Sequence, residues 1–132
     1  MKISAMIKSN FNHHDIVVQT DEMAKEMRIS PQSTGFGSSV SGAELLLLSL
    51  ATCYCDDLYR EASKRNMTIS GMEVVFNGEF GAEGEAGTHF TYQAHIRSDE
   101  PAAEIEELIQ YTDRIAEVHN TLRKGVNITL TP

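Results

Sequence analysis

The chain has 132 residues, with 19 acidic against 11 basic side chains and a formal net charge of -8 at pH 7. This length predicts one domain over residues 1–132. Nucleic acids and anionic membranes require clustered Lys and Arg, so the charge excludes both as expected partners. Residues 1–10 show no secretory signal, and the apolar run at 45–51 is too short to span a bilayer. We therefore expect a cytoplasmic protein.

The first third of the chain predicts a β-hairpin followed by a loop. Residues 2–8 alternate between polar and apolar side chains, and residues 15–20 contain a β-branched run, so both segments are predicted strands. Residues 21–40 predict a loop with room for a short strand or a turn. The Gly-rich part of this loop, Thr34–Ser39, lacks the Lys of a phosphate-binding loop, which favours an ordinary connection.

A long helix is predicted from Gly42 to Arg65. Ser41 and Glu44 have the spacing of a capping box, in which each side chain bonds the backbone N–H of the other residue. Asn66 is the predicted left-handed stop, because Asn tolerates the positive φ that ends many helices.

The first half of this helix is apolar on all sides, with leucine at 45–48 and at 50. Such a helix must be covered by protein all round, and a chain of this size can hardly cover it alone. The pattern therefore predicts a homo-oligomer. In the second half, the pairs Asp56–Arg60 and Glu61–Arg65 are expected on a solvated face.

The second half of the chain predicts two strands, a helix and a last strand. Residues 72–80 and 89–98 are the two strands, and the helix follows Pro101. A short segment at 120–124 precedes the last strand at 126–130. The order of two strands, long helix, two strands, helix and strand predicts an α+β fold with a largely antiparallel sheet.

The two cysteines, Cys53 and Cys55, are two positions apart on the predicted helix. They point about 200° apart, so they can neither form a disulfide nor bind one metal ion together. The histidines show no ligand spacing either, and we predict no metal and no cofactor. Cys53 would be an inert packing residue or a reactive thiol. Reactivity requires a lowered pKa, which a cation or hydrogen-bond donors can supply. Arg28 in the preceding loop is the nearest candidate cation, and with it we predict a modestly depressed pKa for Cys53.

The run SGAELLLLSLATCYCDDLYREASKRN, residues 41–66, resembles the central-helix signature of the OsmC/Ohr family. In that signature a Glu-Leu-Leu-Leu stretch leads, nine residues after the glutamate, to a cysteine; here these positions are Glu44 and Cys53. The family's second signature, Cys-Pro-Val-x-x-Thr-Leu, corresponds to residues 116–122. Three of its positions match: Val118, Thr121 and Leu122.

The resemblance implies an intertwined homodimer with a mostly antiparallel sheet around a long buried central helix. It implies that Cys53 is a peroxidatic thiol at the subunit interface, which attacks an organic hydroperoxide to give a sulfenic acid. Arg28 and Glu44 are the candidates for the Arg and Glu that polarise the thiolate in this family. Ala43 stands at the family's catalytic glutamate position and Ala116 at that of its resolving cysteine.

These observations leave two functions open. The first is a one-cysteine reductase of small hydrophobic hydroperoxides, acting in oxidative-stress defence, with an external thiol or Cys55 restoring Cys53. The alternative is a catalytically degenerate member that binds a small hydrophobic ligand in the cavity at the dimer interface.

Overall fold

The computed structural model describes residues 1–132 and contains two compact units, Met1–Leu45 and Leu46–Pro132. The boundary between them falls inside the long helix, and the single domain stays a prediction. The fold is α+β with antiparallel sheets, as the sequence predicts, and it has three helices where the sequence predicts two. None of these helices combines the length and the apolar composition needed to cross a membrane.

The first unit contains a three-stranded antiparallel sheet. Its strands are β1 (Ile3–Asn10), β2 (His13–Thr20) and β3 (Met23–Met27), paired in this order. The predicted hairpin is confirmed, and β3 occupies part of the segment predicted as a loop. The two turns contain Asn12 at φ 54° and Asp21 at φ 49°, residue types that tolerate the left-handed conformation.

Gly35 links the Gly-rich loop to this hairpin. Its carbonyl oxygen accepts a hydrogen bond of 2.7 Å from the Asn12 N–H, and its φ is 85°. A Cβ at this position would lie 2.3 Å from the Phe11 ring. Only glycine satisfies both the positive φ and the close approach.

The long helix, α1, extends over Gly42–Lys64, within one residue of the prediction. The capping box is confirmed: the Ser41 N–H donates to Glu44 Oε1 at 2.9 Å, and the Glu44 N–H donates to Ser41 Oγ at 3.1 Å. Asn66 follows the helix at φ 55°, which confirms the left-handed stop.

The second unit adds a hairpin and two helices to α1. The strands are β4 (Gly71–Glu79) and β5 (Thr88–Arg97), followed by α2 (Ala102–Ile115) and α3 (Glu117–Lys124). Alternate residues of the hairpin face the core, as the period of two requires. These residues are Met72, Val74, Phe76, Tyr92, Ala94 and Ile96.

The core of the second unit lies between this hairpin and the helices. Its buried residues are Tyr54, Leu58, Ala62, Leu108 and Ala116. The Tyr54 hydroxyl donates to the backbone oxygen of Ile109 at 2.8 Å, which ties α1 to α2. Tyr54 thereby satisfies its polar atom while its ring stays buried.

The predicted ion pairs of α1 are wrong. Arg60 bonds Asp57 at 2.9 Å and Glu61 at 3.1 Å, whereas Asp56 was the expected partner. Asp57 and Glu61 are each only 4% exposed. Of the residues predicted on the solvated face, Asp56 and Arg60 are exposed, whereas Glu61 is buried.

The predicted last strand is also wrong. Residues 126–130 pair with no strand, and the side chains of Ile128 and Leu130 are 94% and 97% exposed. Alternation predicts which face of a strand is apolar, but a strand forms only where an edge is available for its backbone hydrogen bonds.

Candidate active site

Cys53 is half-buried on α1 and faces two carboxylates. Its Sγ lies 3.7 Å from Asp57 Oδ2 and 3.8 Å from Glu117 Oε2, and the thiol can donate its proton to either. Asp57 is one turn further along the same helix, where i and i+4 side chains meet. Glu117 is the first residue of α3.

Ala116 positions Glu117 beside the thiol. It is fully buried and extended, with φ -65° and ψ 115°, and it separates α2 from α3. Its N–H donates to the Thr112 oxygen at 3.0 Å, and its oxygen accepts from the Asn120 N–H at 2.9 Å. A single small residue thus ends one helix and begins the next. A methyl group at this position offers no thiol that could resolve a sulfenic acid.

The surroundings of Cys53 raise its pKa. Burial is the main cause of this increase. A backbone hydrogen bond from Val118 lowers the pKa, and the negative charges of Asp57 and Glu117 raise it further. The depressed pKa expected from the sequence is therefore wrong. The thiol therefore holds its proton at neutral pH, because burial and then the two acidic neighbours disfavour the thiolate.

Asp57 is the more enclosed of the two carboxylates. Burial and the charge of Glu117 raise its pKa, while the Arg60 guanidinium lowers it. Arg60 Nη1 holds Asp57 Oδ1 at 2.9 Å, which leaves Oδ2 directed to the thiol. The carboxylate is oriented and can accept a proton from Cys53.

The other two candidate residues lie in the first unit. Arg28 follows β3 and lines a cavity together with Lys8 and His14. Glu44 is engaged in the capping box, where the hydrogen bonds from Ser41 hold its pKa below the ordinary value. The catalytic roles of Arg28 and Glu44 stay predictions.

Cys53, Asp57 and Glu117 also form a set that could hold a metal ion. One ligand atom from each lies within 4.8 Å of the others. The sequence does not predict this set. Asp57 was detectable from its i+4 spacing, but nothing in the sequence places Glu117 beside Cys53.

Several comparisons place this chain among known proteins. The family described as OsmC-like protein matches residues 35–131. No curated protein matches the chain. Among solved structures, an OsmC-like protein from Mycoplasma pneumoniae is 21% identical, with 91% of this chain and 87% of that chain covered and a TM-score of 0.61.

Two further solved structures share the fold. The first is an organic hydroperoxide resistance protein OsmC from Legionella pneumophila, 14% identical, with 91% and 89% of the two chains covered and a TM-score of 0.57. The second is an OsmC-like hydroperoxide resistance protein from Jannaschia, 12% identical, with 96% and 87% covered and a TM-score of 0.56. The match over residues 35–131 establishes that this chain belongs to the OsmC-like protein family.

Proposed function

We propose that this protein reduces small apolar organic hydroperoxides through Cys53, in defence against oxidative stress. The observation that carries the proposal is the contact of one thiol with two carboxylates, at 3.7 Å and 3.8 Å, which supplies a nucleophile and its proton acceptor. The hydroperoxide resistance proteins of Legionella pneumophila and Jannaschia, which share the fold, support this reaction class.

The first step transfers one oxygen atom to Cys53. As the thiol proton passes to Asp57 or Glu117, Sγ attacks the terminal oxygen of the hydroperoxide and the O–O bond breaks. Cys53 becomes a sulfenic acid, and the leaving alkoxide takes the proton from the carboxylic acid to become an alcohol. The raised pKa of Asp57 favours this relay, because it makes the carboxylate a better proton acceptor.

Reduction of the Cys53 sulfenic acid back to the thiol requires an external thiol. A first external thiol attacks the sulfur of the Cys53 sulfenic acid, which releases water and gives a mixed disulfide with Cys53. A second external thiol then attacks this mixed disulfide, so that Cys53 is released as a thiol and the two external thiols form a disulfide. Ala116 cannot act here, and Cys55 points to another face of the helix. This protein is therefore a one-cysteine reductase in our proposal.

We further propose that the protein acts as a cytoplasmic homodimer. Leu48 in α1 is 58% exposed, and every residue of β1 is exposed. Apolar surface of this extent is typical of a protein–protein contact. Both cysteines are free thiols, as expected in a reducing compartment.

A second function is favoured by the raised pKa of Cys53. A thiol that stays protonated is a poor nucleophile, so the protein would instead bind a small hydrophobic ligand without turnover. Thiol reactivity separates this alternative from the reductase.

The decisive experiment measures consumption of cumene hydroperoxide with dithiothreitol as reductant. We expect turnover in the wild type, its loss in Cys53→Ser and its retention in the matched control Cys55→Ser. A wild type that consumes the hydroperoxide no faster than Cys53→Ser would exclude the reductase function.

A further inference from the structure

The distances between the Cys53 thiol and its two carboxylates match those between the ligands of a zinc ion. Sγ lies 3.7 Å from Asp57 Oδ2 and 3.8 Å from Glu117 Oε2, and all three atoms lie within 4.8 Å of one another. In a tetrahedral site with Zn–S about 2.3 Å and Zn–O about 2.0–2.2 Å, a sulfur and an oxygen ligand are about 3.5–3.7 Å apart. Glu117 is exposed, so its carboxylate is free to close the remaining distance to Asp57.

Asp57 directs a poorly satisfied oxygen into this set, and the residue is only 4% exposed. Arg60 holds Oδ1 at 2.9 Å, but the only hydrogen-bond donor to Oδ2 is the Cys53 thiol, which is a weak one. Buried charges are normally paired or bound to a metal ion. The ring nitrogens of His119 also lack hydrogen-bond partners, but aromatic rings enclose them, whereas Asp57 Oδ2 lies beside the exposed Glu117.

The charges of the set favour a divalent cation. When all three ligands are ionised they carry three negative charges, which repel one another at these distances. Arg60 offsets one of these charges through its contact with Asp57. A divalent ion balances the other two, so the occupied site is neutral as a whole.

The ligand types select zinc among the common divalent ions. Zinc binds thiolate together with carboxylate oxygens, whereas Mg²⁺ and Ca²⁺ prefer oxygen ligands alone. Outer contacts also orient two of the ligands: Arg60 holds the Asp57 carboxylate, and the Val118 N–H bonds the Cys53 sulfur. Such outer-shell contacts accompany the ligands in most metal sites.

We propose that Cys53, Asp57 and Glu117 bind one Zn²⁺ ion through Sγ, Oδ2 and Oε2, with a water molecule as the fourth ligand. The thiol releases its proton to solvent when zinc binds, because the thiolate is the form that bonds the metal. The proposal does not rest on the reduction of hydroperoxides, since it requires no reaction at the sulfur.

The first test uses Co²⁺ as a probe for zinc, because a cobalt–thiolate bond gives an intense near-ultraviolet absorption band. We expect one Co²⁺ per chain with this band, displaced by Zn²⁺ and not by Mg²⁺. The band should be lost in Cys53→Ser and kept in the matched control Cys55→Ser. A wild type without the band, or a band that depends on Cys55 instead of Cys53, would overturn the proposal.

The second test removes a carboxylate at an exposed position, where folding is not at risk. Zinc affinity, measured by competition with a chromophoric chelator, should fall more than about tenfold in Glu117→Gln, since loss of even an outer-shell partner costs about 10–100-fold. Glu107→Gln, at an exposed position of α2, should bind zinc as tightly as the wild type.

Zinc should also slow the labelling of Cys53 by iodoacetamide in a Cys55→Ser background, because the bonded sulfur is no longer a free nucleophile. Zinc held only by surface histidines would leave this labelling rate unchanged. That result, or equal zinc affinity of Glu117→Gln and Glu107→Gln, would refute the proposal.

Discussion

Glu117 Oε2 lies 3.8 Å from Cys53 Sγ, although the two residues are 64 positions apart in the sequence. The contact exists because the chain turns at Ala116 and begins α3 beside α1. It gives the thiol a second acidic neighbour besides Asp57, and both of them disfavour the thiolate. Carboxylates from two helices therefore add to burial in raising the pKa of Cys53.

Glu117→Gln should lower the pKa of Cys53, because it removes a negative charge beside the sulfur. In a Cys55→Ser background, the rate of iodoacetamide labelling should reach its midpoint at a lower pH. Hydroperoxide turnover should fall at the same time, since one proton acceptor is lost. Glu107→Gln, at an exposed position of α2, is the matched control and should change neither property. A labelling profile that is unchanged in Glu117→Gln would contradict the assigned contact.

Leu48→Asp and Leu58→Asp should have different effects, because Leu48 is 58% exposed while Leu58 is fully buried. A charge at Leu48 should dissociate the proposed dimer into folded monomers. A charge at Leu58 should prevent folding, since an unpaired buried charge is strongly destabilising. Sedimentation and circular dichroism separate the two outcomes. A wild type that is already a stable monomer at micromolar concentration would exclude the dimer.

Tyr92→Phe should destabilise the second unit by about 1.5–3 kcal/mol, the range for a lost hydrogen bond to a charged group. The Tyr92 hydroxyl donates to Asp113, which also binds Arg123. The measurement is the free energy of unfolding in urea, compared between the wild type and the variant. Tyr59→Phe is the control, because Tyr59 is 45% exposed and should tolerate loss of its hydroxyl. Equal stability of the two variants would show that the Tyr92 hydroxyl contributes nothing.

His119 should make the protein less stable as the pH falls from 7 to 5. Its folded pKa is lowered by burial, so below the ordinary value of about 6.5 the unfolded chain binds more protons than the folded chain. The stability loss begins near the unfolded pKa and ends at the lower, folded one. His119→Phe should remove this part of the pH dependence and raise the stability, because it buries no orphaned nitrogen. Parallel pH profiles of the two proteins would contradict this account.

The sequence determined the features that depend on neighbouring residues. The capping box of Ser41 and Glu44, the stop at Asn66 and the alternation in β5 each need only a few adjacent positions, and the structure confirms all three. The family signature from Glu44 to Cys53 is equally local. From such features the α+β fold and the candidate thiol could be predicted.

Only the tertiary structure decided which side chains meet and which are cut off from water. Glu61 was expected on a solvated face and is buried; residues 126–130 have the alternation of a strand but no partner. Glu117 reaches Cys53, and His119 loses its solvent, because α3 packs against α1 and the hairpin. Charge state and desolvation depend on distances between segments far apart in the chain, and periodicity within one segment carries no information about those distances.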